Sequence, residues 1–210
     1  MPEDQDDMIP TRWTLIGRLK NWDDQEGWRE FFDTYWKLIY SVARRAGLAA
    51  EDAQDVVQDT VVSVCKAMHR FQAEPRRGAF KAWLLTVTRS RIVDHQRKRR
   101  RDLAPAGHGS RDTAAGTSRE DRIVDPAGNG FEALWDAEWE RNVITLALEK
   151  LERQTSSRHY QVFLLHVIKQ FPAERVARVT GVEIGQVYLI KHRLTPLFRA
   201  AMAELETKTT

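Results

Sequence analysis

Residues 86–101 hold seven lysines and arginines against a single acid, Asp94. Cations at that density neutralise phosphates, and binding built on them weakens steeply as salt rises. Thr86, Ser90, His95 and Gln96 lie among them and can hydrogen-bond to exposed bases or stack on them. Cations also suit the C-terminal end of a helix, but capping needs fewer than seven. The same stretch begins with Phe80, Trp83, Leu84 and Val87. One helix opening near Ala79 is therefore expected to pack through those residues. Its other face would present Thr86, Arg89, Val93, Gln96, Arg97 and Arg100 to nucleic acid.

Upstream, Asp52, Asp55 and Asp59 repeat at helical spacing opposite a stripe of Val57, Val61, Val64, Met68 and Phe71. The expected result is an acidic ridge left exposed for a partner. Three carboxylates could hold Mg²⁺, but no further ligand complements them. The six histidines, His69, His95, His108, His159, His166 and His192, show no HExxH pairing, and no glycine-rich phosphate loop precedes a lysine. No catalytic constellation, metal site or cofactor is expected. The single cysteine, Cys65, excludes an internal disulfide and a cysteine-rich zinc site. Between Val64 and Met68 it reads as an inert buried thiol.

A third pattern lies near the C-terminus. "PAERVARVTGVEIGQVYLIKHRL", residues 172–194, has helix-turn-helix spacing. Ala177 is small enough for a close helix crossing, Gly181 supplies the positive φ of the turn, and Val187 plugs the interface. Val176, Val182 and Ile190 fill the remaining apolar positions. At 100° per residue Val187, Ile190 and Leu194 point inward, while Gly185, Tyr188, Leu189, His192 and Arg193 point outward. Outward residues near the start of such a helix read base edges, and others fix phosphates.

These groups need helices to position them, and helical periodicity dominates the chain. Trp28, Phe31, Phe32, Tyr35, Ile39 and Val42 form one face that stops at Gly47. Phe131, Leu134, Trp135, Trp139, Val143, Ala147 and Leu151 mark a later helix, and Tyr160, Phe163, Leu164, Val167 and Ile168 another. Residues 102–130, rich in Ala, Gly, Ser, Asp and Pro, read as a flexible linker. The expected fold is all-α, with two small helical domains at 10–101 and 131–205, the second a helix-turn-helix. The formal net charge of +3 hides an uneven distribution, because residues 76–101 alone carry ten lysines and arginines against one acid. No apolar run approaches the ~20 residues of a membrane helix, and the acidic N-terminus lacks the apolar core of a secretory signal. A cytoplasmic setting is expected.

Taken in order, "DAQDVVQDT" at 52–60, "FKAWL" at 80–84, "TRSRIVDHQRKRRR" at 88–101 and the helix-turn-helix resemble a bacterial sigma factor. The resemblance is to the extracytoplasmic-function group of the sigma-70 family, over residues ~11–101 and ~131–200. It implies that residues 10–101 form a region 2-like domain and residues 131–205 a region 4-like domain. Asp52, Asp55, Gln58 and Asp59 would then bind the clamp helices of the β′ subunit of core RNA polymerase. Trp83, Thr86, Arg89, Ser90, Arg91, His95, Gln96, Arg97 and Arg100 would open and read the minus-ten element. Gly185, Gln186, Tyr188, Leu189, His192 and Arg193 would read the minus-thirty-five element as duplex. An anti-sigma protein becomes a candidate partner. Two positions depart from the family: Ser90 stands where asparagine is usual, and Tyr188-Leu189-Ile190 where Lys-Ser-Arg is common. A DNA-binding regulator acting without polymerase is the alternative, and it leaves the acidic ridge and the basic helix without a role.

Overall fold

The computed structural model describes residues 12–71, 79–103, 125–126, 128 and 130–207. The regular elements among these residues are all helical, as expected. They are α1 (Arg12–Arg18), α2 (Gln25–Arg45), α3 (Ala50–Met68), α4 (Ala79–Leu103), α5 (Gly130–Gln154), α6 (Ser157–Phe163), α7 (Ala173–Thr180) and α8 (Ile184–Thr207). A π-helical turn, Leu164–Ile168, continues directly from α6. Two compact units result, one ending at Asn142 and the other spanning Val143–Lys208. The expected linker lies almost wholly outside the described residues.

In the N-terminal unit α2 is placed by its first turn. Asp24 caps it by accepting from the Gly27 N–H at 2.8 Å, the usual means of satisfying a helix's orphan donors. Arg18 at the end of α1 grips the same carboxylate through Nε at 2.6 Å and a second guanidinium nitrogen at 2.9 Å. Those bonds, Arg18 first and then the Gly27 amide, hold the Asp24 carboxyl down at about 2. The α1–α2 latch therefore contributes fully above the ordinary carboxylate range and fades as pH falls toward that value. Leu15, Ile16 and Leu19 carry α1 into the core. At the other end of α2, Gly47 takes φ 87° and the chain turns into α3.

The buried faces differ from the simple stripes read along the chain. On α2, Phe31, Tyr35, Leu38, Ile39 and Val42 are buried, but Phe32 is exposed and stacks on Trp36 outside the core. On α3 the buried set is Ala53, Val56, Val57, Thr60, Val64 and Met68, with Val61 at its margin. On α4, Phe80, Leu84, Thr88 and Ile92 are buried, and Trp83 and Val87 lie on the flank. A stripe stepping by four drifts around a straight helix, which carries the packed face past Thr88 to Ile92. Cys65 is half-buried, and burial raises its thiol pKa, disfavouring the thiolate.

The first half of α5 packs in the N-terminal unit, although the sequence reading assigned it to the C-terminal domain from residue 131. Phe131, Trp135 and Trp139 are buried there. Trp139 stacks on Tyr35 of α2 at 5.7 Å between ring centres, and Asn142 donates to the Thr34 carbonyl at 3.0 Å. Glu138 is buried and fully engaged: Ser41 Oγ donates to it at 2.6 Å, and Arg45 and Arg141 approach at 2.8 and 2.6 Å. A buried carboxylate without such partners would cost several kcal/mol (about 3–5). The later residues Val143, Ala147 and Leu151 belong to the second unit.

In that C-terminal unit Leu151, Val162, Phe163, Ala173, Val176, Val187, Ile190 and Leu194 form one core. Gly181 ends α7 with φ 68° and ψ 30°, its N–H donating to the Ala177 carbonyl at 3.0 Å and Val182 N–H to the same oxygen at 3.3 Å. Nothing lies within 4 Å of where a Cβ would project, so the demand on this position is conformational. Gly181→Ala should destabilise the C-terminal unit by about 1 kcal/mol, with Gly181→Asn milder. Thermal melting followed by circular dichroism measures it, and equal melting of both variants and the parent would contradict the turn.

Candidate partner and nucleic-acid interfaces

The acidic face is built on α3. Ala53, Val56, Val57 and Thr60 anchor the helix inward, which turns Asp55, Gln58 and Asp59 out to solvent and leaves Asp52 half-buried. Glu51 and Asp52 also sit in the first turn, where the helix dipole favours carboxylates. Asp59 is engaged within the unit: its Oδ2 lies 2.9 Å from His95 Nε2 of α4. The ridge and the basic helix thus meet at this side-chain contact. Among the described residues no cluster of three or more potential metal ligands forms.

The structure separates the α4 residues expected to meet DNA into three groups. Thr86, Ser90, Arg97 and Arg100 are exposed, and Lys98, Arg99 and Arg101 with them. Between Ile92 and Arg101 the helix has no buried residue, and the cations of residues 97–101 are all exposed. Gln96 and His95 point inward instead. Gln96 Nε2 donates to the Ala46 carbonyl at 3.0 Å, fastening α4 to the end of α2. The His95 side chain, 16% exposed, faces Asp59. Val93 is half-buried as well, so the expected open face is narrower than the helical wheel suggested.

Trp83 and Arg89 form the third group. Trp83 belongs to an aromatic cluster, 4.7 Å from the Phe71 ring and 5.8 Å from Phe80. Arg89 donates through Nε to the Pro126 carbonyl at 2.5 Å and lies over the Phe131 ring at 5.6 Å. Lys81, one face with Arg89, pairs with Asp136 at 2.6 Å. These contacts come from the segment just before α5 and from its first turns, which sequence periodicity had assigned elsewhere. Arg91 is partly covered and pairs with Asp94 at 3.4 Å.

In the C-terminal unit the two helices of the expected helix-turn-helix are α7 and α8. Val187, Ile190 and Leu194 are buried on α8, and Gly185, Gln186, Tyr188, Leu189, His192 and Arg193 are exposed. Gln186 also caps the helix, its Oε1 accepting from the Glu183 N–H at 3.2 Å. Ile184 is exposed on the same side and was missed by sequence reasoning, because an isoleucine at a helix start reads as core. Tyr188 meets His166 edge-to-face at 5.7 Å, and His166 is fixed in turn by the Phe171 carbonyl at 2.9 Å from Nδ1. Beside this surface, Arg158, His159, Leu189 and Arg193 line a shallow depression.

An all-helical unit with an acidic face beside a basic helix defines a class. Residues 31–102 match the family model "Sigma-70 region 2", a span that runs from within α2 almost to the end of α4. A curated relative, the ECF RNA polymerase sigma factor RpoE of Cereibacter sphaeroides, is 26% identical over 91 residues, 43% of this chain. The chain covers 49% of that relative's length, about half. Residues 31–102 are thus similar to region 2 of the sigma-70 family, and the relative is a sigma factor of the extracytoplasmic-function group. Among the described residues no helix is long and apolar enough to cross a membrane.

Proposed function

We propose that this chain is a promoter-specificity factor: it binds core RNA polymerase, directs it to particular promoters and assists strand opening. One observation carries the reading. A single helical unit of sigma-70 region 2 type holds an exposed acidic face on α3 and, on the adjoining α4, a run of cations extending past the packed segment. The acidic face suits a basic partner surface, by resemblance the β′ clamp helices, and the cationic end suits phosphate. Thr86, Ser90, Arg97 and Arg100 are its most accessible contacts to the minus-ten element, with α8 serving the minus-thirty-five duplex. Binding free energy drives opening, and no covalent chemistry is assigned to the chain. It would act in the cytoplasm, and an anti-sigma protein covering either face would silence it.

The test is transcription from random duplex templates by core polymerase with and without the protein. Start sites that depend on it and share two spaced motifs support the reading. Duplex binding without core, and no added initiation, would instead identify a regulator. The docking face has its own test. Asp52→Lys with Asp55→Lys should weaken core binding about tenfold or more, since opposed charges become like charges. Asp59 is left intact to preserve the His95 pair. Unchanged affinity would remove α3 from the interface.

A further inference from the structure

The exposed face of α8 is unusual in its chemistry. Ile184, Tyr188 and Leu189 stand on it at i, i+4 and i+5, and Leu189 is 64% exposed. Solvent does not favour such a patch, and the helix buries a different set, Val187, Ile190 and Leu194. Two arginines flank the apolar group: Arg193 one turn on, and Arg158, with His159 beside it, across the shallow depression that Leu189 also lines. Tyr188 meets the His166 ring edge-to-face. The surface is therefore an apolar centre with a basic rim. A basic rim favours a polyanion over an apolar protein groove.

Resting on the proposed promoter function, we infer that α8 reads duplex DNA chiefly through thymine C5-methyl groups, with Leu189 as the principal contact. Thymine methyls are the apolar feature of the major-groove floor, whereas the other base edges offer hydrogen-bonding groups. Leu189 and Ile184 can supply neither donors nor acceptors, so they gain nothing from guanine or cytosine edges. Arg158, His159 and Arg193 fix the phosphates on the flank and set the helix at the depth where Leu189 reaches the methyl. The upstream element should contain thymine at the position facing Leu189.

The experiment is selection from two random duplex libraries, one made with thymidine and one with deoxyuridine, using core polymerase and the full-length protein. The expected result is an upstream motif whose thymine column is strong in the first library and collapses in the second. Leu189→Ala protein should lose the same column in the thymidine library and show no further change with deoxyuridine. On a single selected promoter, losing the methyl or the leucine should each weaken binding about fourfold, the value of one buried methyl-sized group, and losing both should cost no more. Leu189 is exposed, so the variant folds, and equal melting temperatures check this. An upstream motif identical in both libraries, yet altered by His192→Ala or Arg193→Ala, would overturn methyl readout while leaving promoter reading by α8 intact. An upstream motif indifferent to every α8 variant would overturn both, and would leave the apolar patch as a protein-docking surface.

Discussion

Replacing Trp135 by alanine should cost the N-terminal unit about 3–5 kcal/mol, the usual penalty for emptying a large buried aromatic site. Trp135 is 1% exposed and lies 5.8 Å from the Trp139 ring, which stacks in turn on Tyr35 of α2. Its indole Nε1 finds no hydrogen-bond partner among the described residues. The loss is therefore one of packing, and Trp135→Phe should recover most of it. All seven tryptophans, Trp13, Trp22, Trp28, Trp36, Trp83, Trp135 and Trp139, precede residue 143, so intrinsic fluorescence reports the N-terminal unit alone. Its midpoint should fall by roughly 10 °C or more, while a melt of the C-terminal helices followed by circular dichroism stays in place. An unmoved fluorescence midpoint would mean that the first half of α5 does not stabilise this unit. A fragment ending at residue 103 should also melt lower than one ending at 142, although the family match stops at residue 102.

The second large effect concerns the projecting end of α4. Arg97→Ala with Arg100→Ala removes two exposed cations that no packing depends on. Each phosphate contact contributes roughly 0.7–0.9 to the slope of log affinity against log salt. For the holoenzyme on a promoter, the slope should fall by about 1.4–1.8. At 0.1 M salt the affinity should drop roughly 25- to 60-fold by the same relation. Arg→Lys at both positions keeps the charge and should restore most of the slope. An unchanged slope in the alanine variant would show that these arginines meet solvent rather than phosphate. The same loss is not expected of Gln96→Ala, whose amide serves the Ala46 carbonyl; that change should act through stability instead.

Much of this was legible before any coordinates. Helical periodicity is a local property, so α2 to α5 and the α7–α8 turn could be read from spacing, and Gly181 from its need for a left-handed backbone. Charge is local too, which made the cations of residues 97–101 and the acids of α3 visible at once. The limits also have physical causes. A helical wheel treats each helix as if one side were core and the other water. On α4 a third side exists, because Lys81 and Arg89 meet Asp136, Pro126 and Phe131 from more than thirty residues away. His95 and Gln96 look like nucleic-acid contacts by type, but Asp59 and the Ala46 carbonyl claim them.

What the sequence determined by itself was helices α2 to α5, the α7–α8 pair, their polarity and the motifs they carry, since each follows from neighbours within a few turns. Tertiary structure alone decided which cations remain free and where the compact units divide. The boundary falls within α5, at Asn142 and Val143, a position that no composition shift marks. Periodicity runs unbroken from Phe131 to Leu151, because burial against either unit requires the same apolar stripe. Only the partners, Tyr35 and Ser41 on one side and the α6–α8 core on the other, tell the two halves apart.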